Sequence, residues 1–96
     1  MFRMWCKIFK DNHLVKDCEI DYDDDRSRTK MVFSALEECC YKFNISVPIW
    51  LECNVRDFRR FDKVRFSQDN FIEKIDFDYL EIHVIEENDN SQYLHK

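Results

Sequence analysis

Ninety-six residues with 45% hydrophobic and 16% aromatic content describe one domain with a packed core rather than a disordered chain. A net charge of −5 weighs against a chain built chiefly to hold nucleic acid, and the absence of glycine excludes the phosphate-cradling loops of P-loop and dinucleotide-binding proteins. Turns that need a positive φ must fall on Asn or Asp instead, with Asn12, Asn44, Asn54 and Asn70 as the candidates.

Met1 to Tyr22 reads as a β-hairpin. Phe2, Met4, Cys6 and Ile8 alternate with Arg3, Trp5, Lys7 and Phe9. After Asp11-Asn12-His13 the alternation resumes, with Leu14, Cys18, Ile20 and Tyr22 against Val15, Asp17, Glu19 and Asp21. A three-residue loop pairs positions whose numbers sum to 24. Cys6 then faces Cys18 and Met4 faces Ile20 on the apolar side, while Arg3 meets Asp21, Lys7 meets Asp17 and Phe9 meets Val15 on the other. A slip of one residue would send each strand's apolar set to a different face. Lys16 is the one misfit, its stem laid on apolar surface near the turn with the ammonium in water.

An acidic run, Asp21 to Asp25, leads into Arg26 to Lys30 and then an amphipathic helix over Met31–Phe43. Val32, Ala35, Leu36, Cys39, Cys40 and Phe43 form its buried stripe, with Asp25 or Ser27 as cap and Asn44 as the C-terminal stop. Val47 to Cys53 carries the one proline and reads as an edge strand or an extended connection. Asn54 is the expected N-cap of a two-turn helix that buries Val55, Phe58 and Phe61. Lys63 to Phe66 is a candidate strand, Ser67 to Asn70 a turn or cap, and Phe71 to Ile75 ambiguous. Phe77 to Glu87 is a clear strand, long enough to lie beside the hairpin, with Leu80, Ile82 and Val84 on one face. From Asn88 onward no periodicity is left, which predicts a frayed tail. The sum is one α+β domain over 1–96: a mainly antiparallel sheet, made of the N-terminal hairpin and the C-terminal strand, packed on one amphipathic helix with a second short helix.

Charge is segregated along the chain: residues 1–25 carry net −3, residues 26–65 net +4 and residues 66–96 net −6. If the last strand joins the hairpin, Asp17, Glu19, Asp21 and Glu81 share a face with Trp5, Phe9, Tyr79 and Ile85, with Asp23 and Asp24 just beyond. Aromatic rings among exposed charges are what protein-binding surfaces show, and they set this patch against the plainer alternative of a solvated or covered face. Arg56, Arg59, Arg60 and Lys63 fall at i, i+3, i+4 and i+7, with Arg65 just beyond; this row fits either a solubilising face or phosphate contacts.

The five cysteines (6, 18, 39, 40 and 53) form no C-x-x-C pair, and with no signal peptide ahead of them they read as reduced thiols in a cytoplasmic protein. His13, His83 and His95 are tied by spacing to none of them, so a thiol enzyme is not indicated. Asp21, Asp23 and Asp25 start like a calcium loop, but Arg26 and Val32 stand where Gly and Glu are needed. Asp76 and Asp78 are a lone D-x-D pair, and no metal or cofactor is expected. No apolar run approaches ~20 residues, so no membrane span is expected.

The function that follows is a small, non-enzymatic, cytoplasmic interaction module, in its concrete form a phage-type inhibitor or adaptor. Its carboxylates would meet a partner's basic surface as nucleic-acid phosphates would. The alternatives are a nucleic-acid binder using the 56–65 row and a Cys- or metal-dependent activity. Pairing of two copies through an exposed strand edge is a further expectation.

Overall fold

Strands β1 (Phe2–Lys10) and β2 (His13–Tyr22) pair antiparallel, and from Phe2↔Tyr22 to Ile8↔Lys16 every pair sums to 24. The computed structural model describes residues 1–87, so the tail expected from Asn88 onward lies outside the described residues. Beyond Ile8 the register shifts by one. Phe9 faces Leu14 instead of Val15, Lys10 faces His13, and Val15 is the extra residue of a bulge. The loop is therefore two residues, not three. Asp11 and Asn12 both hold positive φ, 54° and 67°, as a type I′ hairpin turn demands when glycine is absent.

Strand β4 (Tyr79–Glu86) lies between β1 and the short β3 (Lys63–Phe66), which gives the order β2-β1-β4-β3 with every pairing antiparallel. Met4, Cys6 and Ile8 face Val84, Ile82 and Leu80, and Val64 and Phe66 extend the same apolar layer. Helix α1 (Arg28–Phe43) covers that layer with Met31, Val32, Ala35, Leu36, Cys39, Cys40 and Phe43, all buried. Its N-cap is Ser27, whose hydroxyl accepts from the Lys30 amide at 3.3 Å. Asn44 ends it in the left-handed conformation, and the Ile45 amide reaches back to the Cys40 carbonyl at 3.0 Å. No helix among the described residues is long and apolar enough to cross a membrane.

The stretch from Val47 to Leu51 is an extended connection, not an edge strand. Helix α2 (Glu52–Phe61) then begins one turn earlier than Asn54 suggested, with Leu51 at the N-cap. Only Phe58 and Asn54 are buried on it; Phe61 is 58% exposed, because the chain turns at Asp62 (φ 57°) into β3 before its ring can reach the core.

Asn54 and Asn70, expected as positive-φ turn residues, are instead a buried pair of side-chain clamps. Asn54 Oδ1 accepts from the Leu51 amide (2.9 Å), and Asn70 Oδ1 accepts from the Ser67 amide (3.0 Å) at the start of a short 3-10 helix, Gln68–Asn70. The Asn70 amide nitrogen donates to Asn54 Oδ1 (2.6 Å) and to the Ile49 carbonyl (2.8 Å), which ties the connection to the β3 exit. Asn70→Ala should therefore cost about 2 kcal/mol, since it removes the acceptor of the Ser67 amide and a donor to both Asn54 Oδ1 and the Ile49 carbonyl at a largely buried junction. A urea midpoint that falls with an unchanged slope is the expected result.

Candidate interaction face of the sheet

Both helices pack on the apolar layer, so the opposite sheet face is uncovered among the described residues. Four columns of side chains run across it: Asp17, Glu19 and Asp21 on β2; Arg3, Trp5, Lys7 and Phe9 on β1; Tyr79, Glu81 and His83 on β4; Lys63 and Arg65 on β3. The alternation that buries even-numbered residues of β1 fixes Trp5 and Phe9 here, half-buried by their neighbours. Phe9 stacks on Tyr79 with centroids 5.0 Å apart.

The face is cross-linked by its own charges. Arg3 stands among three carboxylates: Asp21 at 3.1 Å, Glu86 at 3.3 Å and Glu19 at 3.6 Å. Asp17 accepts from the Trp5 indole N–H at 2.9 Å rather than pairing with Lys7. Lys7 turns the other way, over the Trp5 ring and onto Glu81 at 2.9 Å. Arg65 reaches Glu81 from β3 at 3.0 Å while lying over the Tyr79 ring. The corner around Arg3 and Asp17 thus sets four carboxylates against one guanidinium. The β3 side adds two cations, Lys63 and Arg65, and the face is polarised from acidic at β2 to basic at β3.

Three expectations change. Glu81 does not offer a free carboxylate: it is 3% exposed and held by two cations. Burial opposes its ionised form, yet the hydrogen bonds and charges of Lys7 and Arg65 hold its pKa below the usual glutamate range. Asp23 and Asp24 leave the sheet for the connection into α1, where Asp24 clamps the Arg26 guanidinium at 2.9 Å. Ile85 is the extra residue of a bulge, since Met4 faces Val84 while Arg3 faces Glu86. Trp5, Phe9, Asp17, Glu19, Asp21 and Tyr79 do share the face. The expected Arg3–Asp21 pair is present, while Lys7 and Arg65 as joint counterions of Glu81 were missed. Their role depends on β4 lying between β1 and β3, and in sequence alone Arg65 joined a helical row.

That basic row divides in space. Arg56, Arg59 and Arg60 are exposed on α2, whereas Lys63 and Arg65 belong to β3. Burial, with Lys63 and Lys7 nearby, pushes the His83 imidazole below its ordinary pKa and keeps it neutral at pH 7.

The thiols lie mostly in the core. Cys6 faces Cys18, and Cys39 and Cys40 are buried on α1; Cys53 is exposed. The hydrogen bond with Cys18, together with burial, pushes the Cys6 thiol up, and the same contact draws Cys18 down. Among the described residues no three His, Cys, Asp or Glu side chains converge as a metal site. Iodoacetamide should alkylate Cys53 first and Cys18 next. Cys6, Cys39 and Cys40 should resist by at least about a hundred-fold until the chain unfolds, as peptide mass spectrometry would read.

Fold and face together define an α+β domain, a four-stranded antiparallel sheet with one side packed on the helices and, among the described residues, no helix on the other. No protein-family model, curated protein or solved structure matches the chain.

Proposed function

We propose that this protein is a non-enzymatic interaction module that docks the open face of its sheet on a basic surface of a partner protein. The observation that carries the proposal is the placement of Trp5, Phe9 and Tyr79, half-buried, beside a corner where Glu19, Asp21 and Glu86 share Arg3 and Asp17 accepts from the Trp5 indole. Rings of this kind are the usual anchors of an interface, and surplus charge of one sign steers the encounter. Asp17, Glu19 and Asp21 recur about every 7 Å along β2, so they meet cations that follow an extended backbone. In its finer form the carboxylates take the place of phosphates on a nucleic-acid-binding protein, which would make this an inhibitor. Two copies joined by their β2 edges around residue 19 would set like charges opposite one another, which disfavours self-pairing through that edge.

The test is a salt-dependent capture from lysate by the wild type beside Asp17→Lys/Glu19→Lys and Trp5→Ala. A partner held at ~50 mM salt and lost at ~500 mM is expected. It should be absent from the charge-reversed variant and released about ten-fold faster from Trp5→Ala. Equal retention by all three would remove the proposal.

A second reading has one observation in its favour. Arg56, Arg59, Arg60 and Lys63 have no carboxylate within ion-pair distance among the described residues, so four cations remain for phosphates. A gel shift with mixed RNA and DNA at ~50 mM salt decides it, since phosphate contacts are strongest at low ionic strength.

A further inference from the structure

The helical layer, on the other side of the sheet from the proposed interface, carries an apolar groove with a basic rim. Two adjoining clefts of about 250 and 470 Å³ meet at Phe33 and Trp50, between α1 and the chain from Val47 to Arg59. Phe33 is 49% exposed, Val47 47% and Val55 37%, and all three border the clefts. A helix position outside the buried stripe is ordinarily polar, and Phe33 breaks that rule where the neighbouring chain is also apolar.

The charges of the rim run opposite to those of the chain. Arg26, Arg28, Lys30 and Arg59 line the two clefts and Glu37 is the one acidic lining residue, in a protein of net charge −5. Arg26 is engaged by Asp24, and Arg28 by Asp62 and Glu87. Lys30 and Arg59 have no carboxylate partner among the described residues, and each belongs to a different cleft.

We propose that this groove receives an acidic amphipathic helix from a partner protein, its apolar side chains set between Phe33, Val47, Trp50 and Val55 and its carboxylates on Lys30 and Arg59. A helix laid in a hydrophobic groove is a recurrent recognition mode, and the rim selects its flanking charge. Nucleic acid fits less well. The Trp50 ring is already packed at 76° to 80° against Phe33, Phe58 and Phe66, with centroids 5.0 to 5.9 Å away, so it is not a free platform for a base. Valine and proline walls suit aliphatic side chains.

The test uses the full chain and a fluorescein-labelled synthetic helix of about 18 residues, with leucines on one face and glutamates flanking them. Its counterpart with lysine flanks and a single-stranded oligonucleotide are the comparisons, all read by anisotropy at ~50 mM salt. Saturable binding of the acidic peptide is expected. It should weaken about ten-fold or more in Phe33→Asp and in Lys30→Glu/Arg59→Glu, and stay unchanged in Asp17→Lys/Glu19→Lys. That last variant separates this site from the sheet face, whose failure or success leaves the groove untouched. No saturation by ~1 mM peptide, equal binding of the lysine-flanked peptide, or displacement by the oligonucleotide would overturn the proposal. So would self-association abolished by Phe33→Asp, which would make a second copy the occupant. If Phe33→Asp fails to fold by circular dichroism, peptide-induced amide shifts on the wild type decide: at residues 33, 47, 50 and 55 they support the site, and elsewhere they refute it.

Discussion

Phe66→Ala should lower the unfolding free energy by about 4 kcal/mol, the range for truncating a fully buried aromatic side chain. Phe66 is 0% exposed and is the last residue of a four-residue strand. On one side it faces Leu80 across the sheet, and on another it meets the Trp50 ring edge-to-face at 5.0 Å. Trp50 in turn contacts Phe58 of α2 and Phe33 of α1, so one ring joins sheet and both helices. A domain of this length is stable by roughly 5–15 kcal/mol, and the loss would bring a substantial unfolded fraction into reach at moderate temperature. Urea titration measures it, with Phe66→Leu expected near 1.5 kcal/mol because most of the volume stays filled. In a Trp5→Phe background the emission of Trp50 reports the cavity directly: a red shift in native Phe66→Ala means water has entered. A loss below about 1 kcal/mol would show that β3 is not part of the cooperative core.

That core was half legible. The hairpin register, the stripe of α1 and the inward face of β4 follow from period-two and 3.6-residue patterns, because burial on one side leaves little freedom. The bulge at Val15 was not legible. A two-residue turn at Asp11-Asn12 shifts the last two pairs by one, and the three-residue alternative satisfied the alternation equally well. Asn54 and Asn70 were misread for a chemical reason: asparagine serves in left-handed turns and in side-chain clamps, and only the fold decides between them. Phe61 lost its burial because α2 ends there, a boundary that periodicity cannot place.

The site was legible by column and, apart from the Arg3–Asp21 pair, not by partner. One strand pair sufficed to put Trp5, Phe9 and the β2 carboxylates on a common face. Which cation meets which carboxylate depends on strand order, and β3 sits beside β4 through a contact the sequence does not mark. The result is a face less acidic than its parts. It keeps surplus negative charge only where Glu19, Asp21 and Glu86 compete for Arg3.

Glu81→Ala is expected to cost about 3 kcal/mol at neutral pH, because it leaves the Lys7 ammonium unpaired in a half-dry position. The Lys7 side chain is 13% exposed against 62% for Arg65, so Lys7 suffers from the loss and Arg65 turns to water. If the cost is that of a stranded charge, Lys7→Met/Glu81→Leu should recover most of it, since two apolar neighbours need no counterion. The pH dependence carries the same signature. Burial opposes the ionised carboxylate, but Lys7 and Arg65 outweigh it and the folded-state pKa lies below the ordinary glutamate value of the unfolded chain. A depressed acid pKa contributes stability above the unfolded value, and that contribution is lost as the pH falls through the folded one. The gap between wild type and Glu81→Gln in urea midpoints should therefore be full at pH 7 and close progressively below pH ~4. A gap that is equally wide at pH ~2 would mean that the carboxylate acts through shape and not through its charge.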